Sequence, residues 1–348
     1  MRIAQIAPPW ISVPPHGYGG IEWVVQQLCD GLVARGHEVV LYATGDSRTA
    51  AELRSVIPAQ IPQYMGLPTF EAQHSGFALA DILAAKGDRE FDVLHDHSGA
   101  FVVAAAALLD LPPVLHTVHN SFNDSTRSFY SMYGQTVAYN AISKYQRSAS
   151  PPNMNWVGVV HNAIDISRWP FQATKQDYLL AFGRICEDKG LHLAVEVARR
   201  TGRRLLMAGV LQDQYRSYFT TRIQPELDDQ IVYLGEVAGR RRWELFANAA
   251  AFLFPIVWPE PFGLVMIEAM ATGTPVIALR NGSVPEVVQD GQTGFVVDNV
   301  DEMVAAVTHV TEIDPAACRQ HVERRFHIDR LLDRYEAIYR RLVATPAS

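Results

Sequence analysis

The stretch Phe254-Pro-Ile-Val-Trp-Pro-Glu260-Pro-Phe-Gly-Leu-Val-Met-Ile-Glu268-Ala-Met-Ala-Thr-Gly-Thr-Pro275 decides how the chain is read. An apolar run, Ala251 to Phe254, leads into a Pro-rich loop. The spacing beyond it predicts a helix from near Gly263 to Gly273, and Pro275 starts another buried strand. The order strand, loop, helix, strand sets a helix N-terminus at the carboxyl end of a strand. Free N–H groups of the first turn carry roughly half a positive charge there, which suits an anion.

Glu260 stands in the loop before that helix, and Glu268 about five residues inside it, roughly 7 to 8 Å along the axis. Two carboxylates around one anion site suit a nucleotide sugar: backbone donors take the diphosphate, and the acids take hydroxyls of the sugar and the ribose. The competing reading makes Glu268 a solvated or paired helix acid and Glu260 a loop charge.

The 348 residues are 48% hydrophobic and 19% charged, which fits a globular chain of two domains. A net charge of -7 argues against a nucleic-acid binder. Cys29, Cys186 and Cys318 form no C-x-x-C, so neither a disulfide framework nor a zinc site is expected, and a reducing cytoplasm is the default. Pro8 and Pro9 interrupt the N-terminal apolar run before a signal-peptide core, and Ala100 to Leu109 is too short to span a bilayer.

Arg2 to Ala7 reads as a strand. A Pro-rich loop then delivers His16-Gly-Tyr-Gly-Gly20 to a helix with apolar residues at 21, 24, 25, 28 and 32, closed by Gly36. The spacing is G-x-G-G, not the dinucleotide fingerprint. Further strands are read at His37 to Ala43, Phe91 to His97, Pro113 to His119, Val137 to Ser143 and Trp156 to His161. Strands alternating with helices predict a parallel sheet with its site at the carboxyl ends. His95, Asp96, His97, His116 and His119 gather near such ends. Metal binding is disfavoured, His95 and His97 being expected to point to opposite sides.

Asn162 to Pro170 and the polar run Gln172 to Asp177 read as a linker, with the boundary near 165. Strands follow at Tyr178 to Phe182, Arg203 to Met207, Ile231 to Leu234, Ala251 to Phe254 and Gly294 to Val297, and an amphipathic helix at His327 to Leu342. Gly183-Arg184-Ile-Cys-Glu-Asp-Lys189-Gly190 sets two cations in a glycine-bounded loop before a helix, able to converge on a diphosphate, with plain surface charge as the competing reading of the loop taken alone. No D-x-D motif for a metal-held diphosphate occurs in the sequence, so neither metal nor other cofactor is expected. The basic runs Ala198 to Arg204 and Arg240 to Arg242 are read as solvated helix ends, with weak peripheral contact to an anionic membrane as the alternative.

Glu-Pro-Phe-Gly-Leu-Val-x-x-Glu-Ala-Met-Ala-x-Gly-x-Pro-Val resembles the E-x7-E signature of glycosyltransferase family 4, retaining enzymes of GT-B architecture. The resemblance implies an α/β fold of two Rossmann-like parallel-sheet domains facing a cleft. Residues 1–165 would bind the acceptor and 166–326 the donor, and a helix over 327–348 would cross back to the first domain. Glu260 would contact the donor sugar, Pro261, Phe262, Gly263, Leu264 and Val265 the sugar and phosphates, and Glu268 the ribose. Gly183, Arg184 and Lys189 match the phosphate-holding element, Val237 lies where the nucleobase is held, and Gly19 and Gly20 match the N-terminal glycine loop. His119 matches the position beside the donor sugar and acceptor hydroxyl.

The activity so implied is metal-independent, retaining transfer from a UDP- or GDP-sugar to an unidentified hydroxyl. A nucleotide-sugar epimerase and a non-catalytic sugar-binding protein are the alternatives. Asn281-Gly-Ser283 departs from the family's Gly-Gly-x before Pro-Glu, and Trp258-Pro259 from its usual small hydroxyl residue.

Overall fold

Short apolar runs become buried parallel strands when helices cover both faces of a sheet. The computed structural model describes residues 1–344. In it β1 (Arg2–Ile6), β2 (Glu38–Tyr42), β3 (Glu52–Arg54), β4 (Val93–Asp96), β5 (Val114–Val118), β6 (Ala138–Ala141) and β7 (Trp156–Val159) form one sheet, ordered β3-β2-β1-β4-β5-β6-β7. The second sheet holds β8 (Tyr178–Phe182), β9 (Arg204–Ala208), β10 (Ile231–Tyr233), β11 (Ala251–Phe254), β12 (Val276–Leu279) and β13 (Gly294–Val297). Its order is β10-β9-β8-β11-β12-β13. The expected class, two Rossmann-like parallel sheets, is the one that forms. β3 was not foreseen, because three residues of Glu-Leu-Arg carry no apolar run.

The chain divides into two compact units: Met1–Asn162 together with the segment from Ile328, and Ala163–His327. In each sheet the order reverses beside its first strand, between β1 and β4 and between β8 and β11. Crossovers leaving in opposite directions open a crevice at the carboxyl edge at that point. The second unit's core gathers Leu179, Ile185, Leu205, Met207, Leu253 and Ile277.

The stretch read as a linker is anchored. Lys175 sends its ammonium to the carbonyl oxygens of Ala247 (2.8 Å) and Thr272 (3.1 Å) and to Thr274 Oγ1 (2.9 Å). Burial pulls its pKa down to about 8. A polar run looks like a tether when its acceptors lie some 70 to 100 positions away.

The C-terminal helix, Ile328–Ala344, packs on the first helix, Gly20–Ala34, with Leu332 seated over Gly31, where a side chain would stand 2.6 Å from it. Arg35 meets Asp333 at 2.7 Å and His37 meets Glu336 at 3.1 Å along the same seam. No helix of the described residues is long and apolar enough to cross a membrane. Leu332 is 3% exposed, so Leu332→Ala is expected to cost roughly 2 to 4 kcal/mol, read from urea unfolding.

Candidate active site

At the reversal in the second sheet, the loops after β8, β11 and β12 are knitted together by backbone contacts. The Val257 N–H donates to Asp188 O (3.0 Å), and the Ser283 N–H to Glu260 O (2.9 Å). Gly190, at φ 65°, approaches Pro255 O so closely that a Cβ would stand 1.9 Å from it. Gly282, at φ 58°, lies as near to the Glu260 backbone, a Cβ there falling 2.3 Å from its carbonyl oxygen. Only glycine accepts both the dihedral and the approach. Ser283 Oγ also donates to Phe262 O (2.9 Å). The Asn281-Gly282-Ser283 departure thus supports the loop that carries Glu260.

These loops bring Lys189 and Glu260 together. Lys189 Nζ donates to Glu260 Oε2 at 2.6 Å, and Trp258 Nε1 donates to the same oxygen at 3.0 Å. The ammonium also lies 5.1 Å from the Trp258 ring centroid, a cation–π position. Trp258 therefore braces the carboxylate. Arg184, on the loop after β8, packs its guanidinium over Tyr215 at 5.4 Å.

The helix Leu264–Ala271 opens on Gly263 at φ 77° and carries Glu268 on its buried side. Leu264 and Val265 form its first turn, and Pro261 and Phe262 are buried just before it. Glu268 makes no hydrogen bond or ion pair with Lys189 or Glu260 among the described residues. Its Oε2 is taken by Arg242 Nη2, and no further hydrogen bond to its carboxylate occurs among the described residues. Burial raises its pKa and Arg242 opposes the rise.

Reading the run at 240–242 as a solvated helix end fails for Arg242, which packs over Phe182 (4.9 Å) and Trp169 (5.7 Å). The arginine sits on the helix Gly239–Asn248 with Phe246, itself buried, and serves a carboxylate 26 positions away. That partner could not be read from the run. Four more arginines of the two basic runs are paired: Arg199 with Asp228, Arg200 with Asp301, Arg203 with Asp177 and Arg240 with Glu244. Val237 is buried in the loop beyond β10, and a Cβ on Gly183 would make only ordinary contact with Lys189.

His119, Gly19 and Gly20 lie in the first unit. Strand register sorts its histidines onto two faces. Gln5 pairs with His95 and Thr117 with Asn140, while Asp96 pairs with His116. On one face His97 Nδ1 meets His119 Nε2 at 2.9 Å, and on the other His116 Nδ1 meets Asp96 Oδ2 at 2.6 Å.

The expectation that His95 and His97 point apart fails: their ring centroids are 3.9 Å apart. Positions two apart share a face of a strand, and the chain keeps that direction one residue past β4. No group of histidines, cysteines or acids suited to a metal occurs among the described residues. Burial drives His95 and His97 well below the ordinary histidine value and His119 down to about 3, so all three are neutral.

Gly19, at φ 150°, caps the first helix; a Cβ there would stand 2.7 Å from Pro15 Cβ and 2.8 Å from Glu22 Oε2. This close packing gives the glycine a structural reason, beside which the first residue of the helix is Gly20. Glu22 is 4% exposed, and burial raises its pKa to about 7, against a smaller lowering by its own backbone N–H. Sequence reading passed over it, because one acid in a helix's first turn ordinarily looks solvated.

With the fold and the site in view, comparison with known proteins places the chain. The model of Glycosyl transferases group 1 matches residues 164–323, and that of Glycosyltransferase Family 4 matches residues 18–168. The chain is a glycosyltransferase of GT-B architecture, similar to family 4.

Glycogen synthase of Mycobacterium tuberculosis is 29% identical over 92% of this chain and 88% of its own. The crystal structure of AviGT4, a glycosyltransferase involved in avilamycin A biosynthesis, is 29% identical with a TM-score of 0.72, covering 99% of this chain and 98% of that one. HepE of Anabaena, crystallised with UDP-glucose, shares the fold at 17% identity and TM-score 0.73, covering 98% of this chain and 100% of that one.

Glu22 gives a pH signature. Its ordinary value is 4.5 and its folded value about 7, so between them the folded state holds a proton that the unfolded chain has lost. The stabilisation is complete below the unfolded value and is lost as pH rises through the folded one. Glu22→Gln is expected to exceed wild type at pH 8 by roughly 3 kcal/mol and to match it near pH 4, read from thermal melts. A gap that ignores pH would contradict the protonated carboxyl.

Proposed function

We propose that the second unit binds a nucleoside-diphosphate sugar, and that the chain transfers the sugar to a hydroxyl held by the first unit, with retention of configuration and without a metal. The Lys189–Glu260 pair carries this reading. It stands at the carboxyl edge where the sheet order reverses, just before the helix Leu264–Ala271, whose first-turn N–H groups favour phosphate. Lys189 and Arg184 take the diphosphate, beside Gly183, and Glu260 accepts from sugar hydroxyls while Trp258 fixes its angle. Glu268, held by Arg242 through one oxygen, offers the other to the ribose. Sugar transfer by the relatives and a UDP-glucose complex on the same fold are in keeping with that donor class.

The reaction places charge where these cations stand. The bond from C1 to the phosphate oxygen breaks as the acceptor oxygen bonds C1 on the same face, and the acceptor proton passes to the departing phosphate. A cation at about 4 Å contributes roughly 4 kcal/mol to that leaving group at an effective dielectric near 20. No carboxylate is assigned as a covalent nucleophile, which favours this front-face course. A reducing cytoplasm suits the three buried free thiols, Cys29, Cys186 and Cys318.

A thermal-shift screen of UDP-, GDP-, ADP- and TDP-sugars, followed by NMR of the product's anomeric linkage, tests the reading. Stabilisation by none of them, or an inverted product, overturns it. Lys189→Ala and Arg184→Ala are each expected to slow transfer about 10² to 10³-fold, and unaltered turnover in the purified lysine variant would remove its role. Glu268→Ala should chiefly raise the donor KM, since ribose contacts persist from ground state to transition state; steady-state kinetics with varied donor decide it.

A further inference from the structure

Behind His119 runs a continuous line of polar side chains, closed by two tyrosines of the C-terminal helix. Asn140 Oδ1 accepts the Val160 N–H at 3.0 Å, so its Nδ2 is the end that donates to Tyr335 Oη at 3.1 Å. From there Tyr335 Oη meets Thr117 Oγ1 (3.1 Å), Thr117 Oγ1 meets His95 Nε2 (2.8 Å), and His95 Nδ1 meets Tyr339 Oη (2.6 Å). Tyr339 Oη meets the Gln5 amide at 3.0 Å, the other end of that amide meets His97 Nε2 at 3.0 Å, and His97 Nδ1 reaches His119 Nε2. Gln5, His95, Asn140, Tyr335 and Tyr339 are 0% exposed, and Thr117 and His97 are 1% exposed.

Counting protons gives this line a direction. Between Asn140 and Gln5 there are four links, Tyr335–Thr117, Thr117–His95, His95–Tyr339 and Tyr339–Gln5. Four protons are available to fill them: three hydroxyl protons and the single N–H of a neutral His95. With the Gln5 nitrogen on Tyr339, the orientation the structure carries, the amide fills its own link. Four protons then serve three links, and one is stranded without an acceptor in a buried cluster, which is unfavourable. The two ends of an amide have the same shape, so the hydrogen-bond pattern decides which is oxygen. Turned over, the amide oxygen accepts from Tyr339, and every link holds one proton.

We infer that Gln5, His97 and Tyr339 are positioning residues that fix His119 as the Nδ1–H tautomer. With its oxygen on Tyr339, Gln5 donates from nitrogen to His97 Nε2. His97 then donates from Nδ1 to His119 Nε2, and the remaining imidazole proton of His119 sits on Nδ1. His119 is half-buried, and its Nδ1 has no hydrogen bond among the described residues. It therefore presents a hydrogen-bond donor there and no lone pair. In the transfer reaction it donates to a substrate oxygen and does not take a proton at Nδ1. That last consequence rests on the proposed role of His119; the tautomer itself does not.

The test is NMR of the full chain labelled with ¹⁵N-histidine at pH 7. Two-bond ¹⁵N–¹H correlations separate protonated from bare ring nitrogens, and His119→Gln assigns the His119 signals. His95, His97 and His119 are all expected to carry the proton on Nδ1; an Nε2–H form of His119 overturns the inference. Tyr339→Phe removes the donor that orients Gln5, and is expected to convert His119 to a mixture of both tautomers. An unchanged His119 in that folded variant would show that the line does not set it. Should the variant fail to fold, the wild-type spectrum alone decides. None of these readings needs a donor sugar, so they stand or fall apart from the assignment of activity.

Discussion

A parallel sheet whose strand order reverses beside its first strand cannot cover its own carboxyl edge at that point, and the chemistry of both units follows from that gap. Crossovers to one side and to the other part there, leaving strand ends and helix starts with polar backbone groups unspent. In the second unit the gap lies between β8 and β11, and it receives Gly183 to Gly190 from one side and Phe254 to Gly263 from the other. In the first it lies between β1 and β4, where Gln5 and His95 stand in register. The two units solve one topological problem with different chemistry: charge in the second, a neutral hydrogen-bonded line in the first.

Keeping charge in such a place requires that nothing be left alone. A half-buried carboxylate without a partner costs several kcal/mol, and removing one partner of a buried pair costs about 3 to 5. Glu260 is accordingly held by Lys189 and Trp258, and Glu268 by Arg242. The backbone contacts at Gly190 and Gly282 keep the loops close enough for the first pairing. Arg242 lies against aromatic rings, which suits a weakly hydrated guanidinium better than an ammonium. The line from Asn140 to His119 in the first unit meets the same demand without charge, because burial keeps His95 and His97 neutral and leaves only their protons to be arranged.

Sequence alone determined the alternation of strands and helices, and hence two parallel sheets. Apolar runs such as Ala251 to Phe254, and the stops at Gly36 and Gly273, are local consequences of burial and backbone geometry. It also marked Lys189, Glu260 and Glu268, through the resemblance of the residues around them to the E-x7-E signature and its phosphate-holding loop and not through their charge alone. Tertiary structure alone decided which polar and charged groups meet. Lys189 and Glu260 lie 71 positions apart, Arg242 and Glu268 26, and His95 and Tyr339 244. The placement of Lys175, the bracing role of Trp258 and the burial of Glu22 are likewise properties of packing. The physical reason is range: periodicity and capping act within a few residues, whereas a hydrogen bond or an ion pair joins whatever the sheet order brings within about 3 Å.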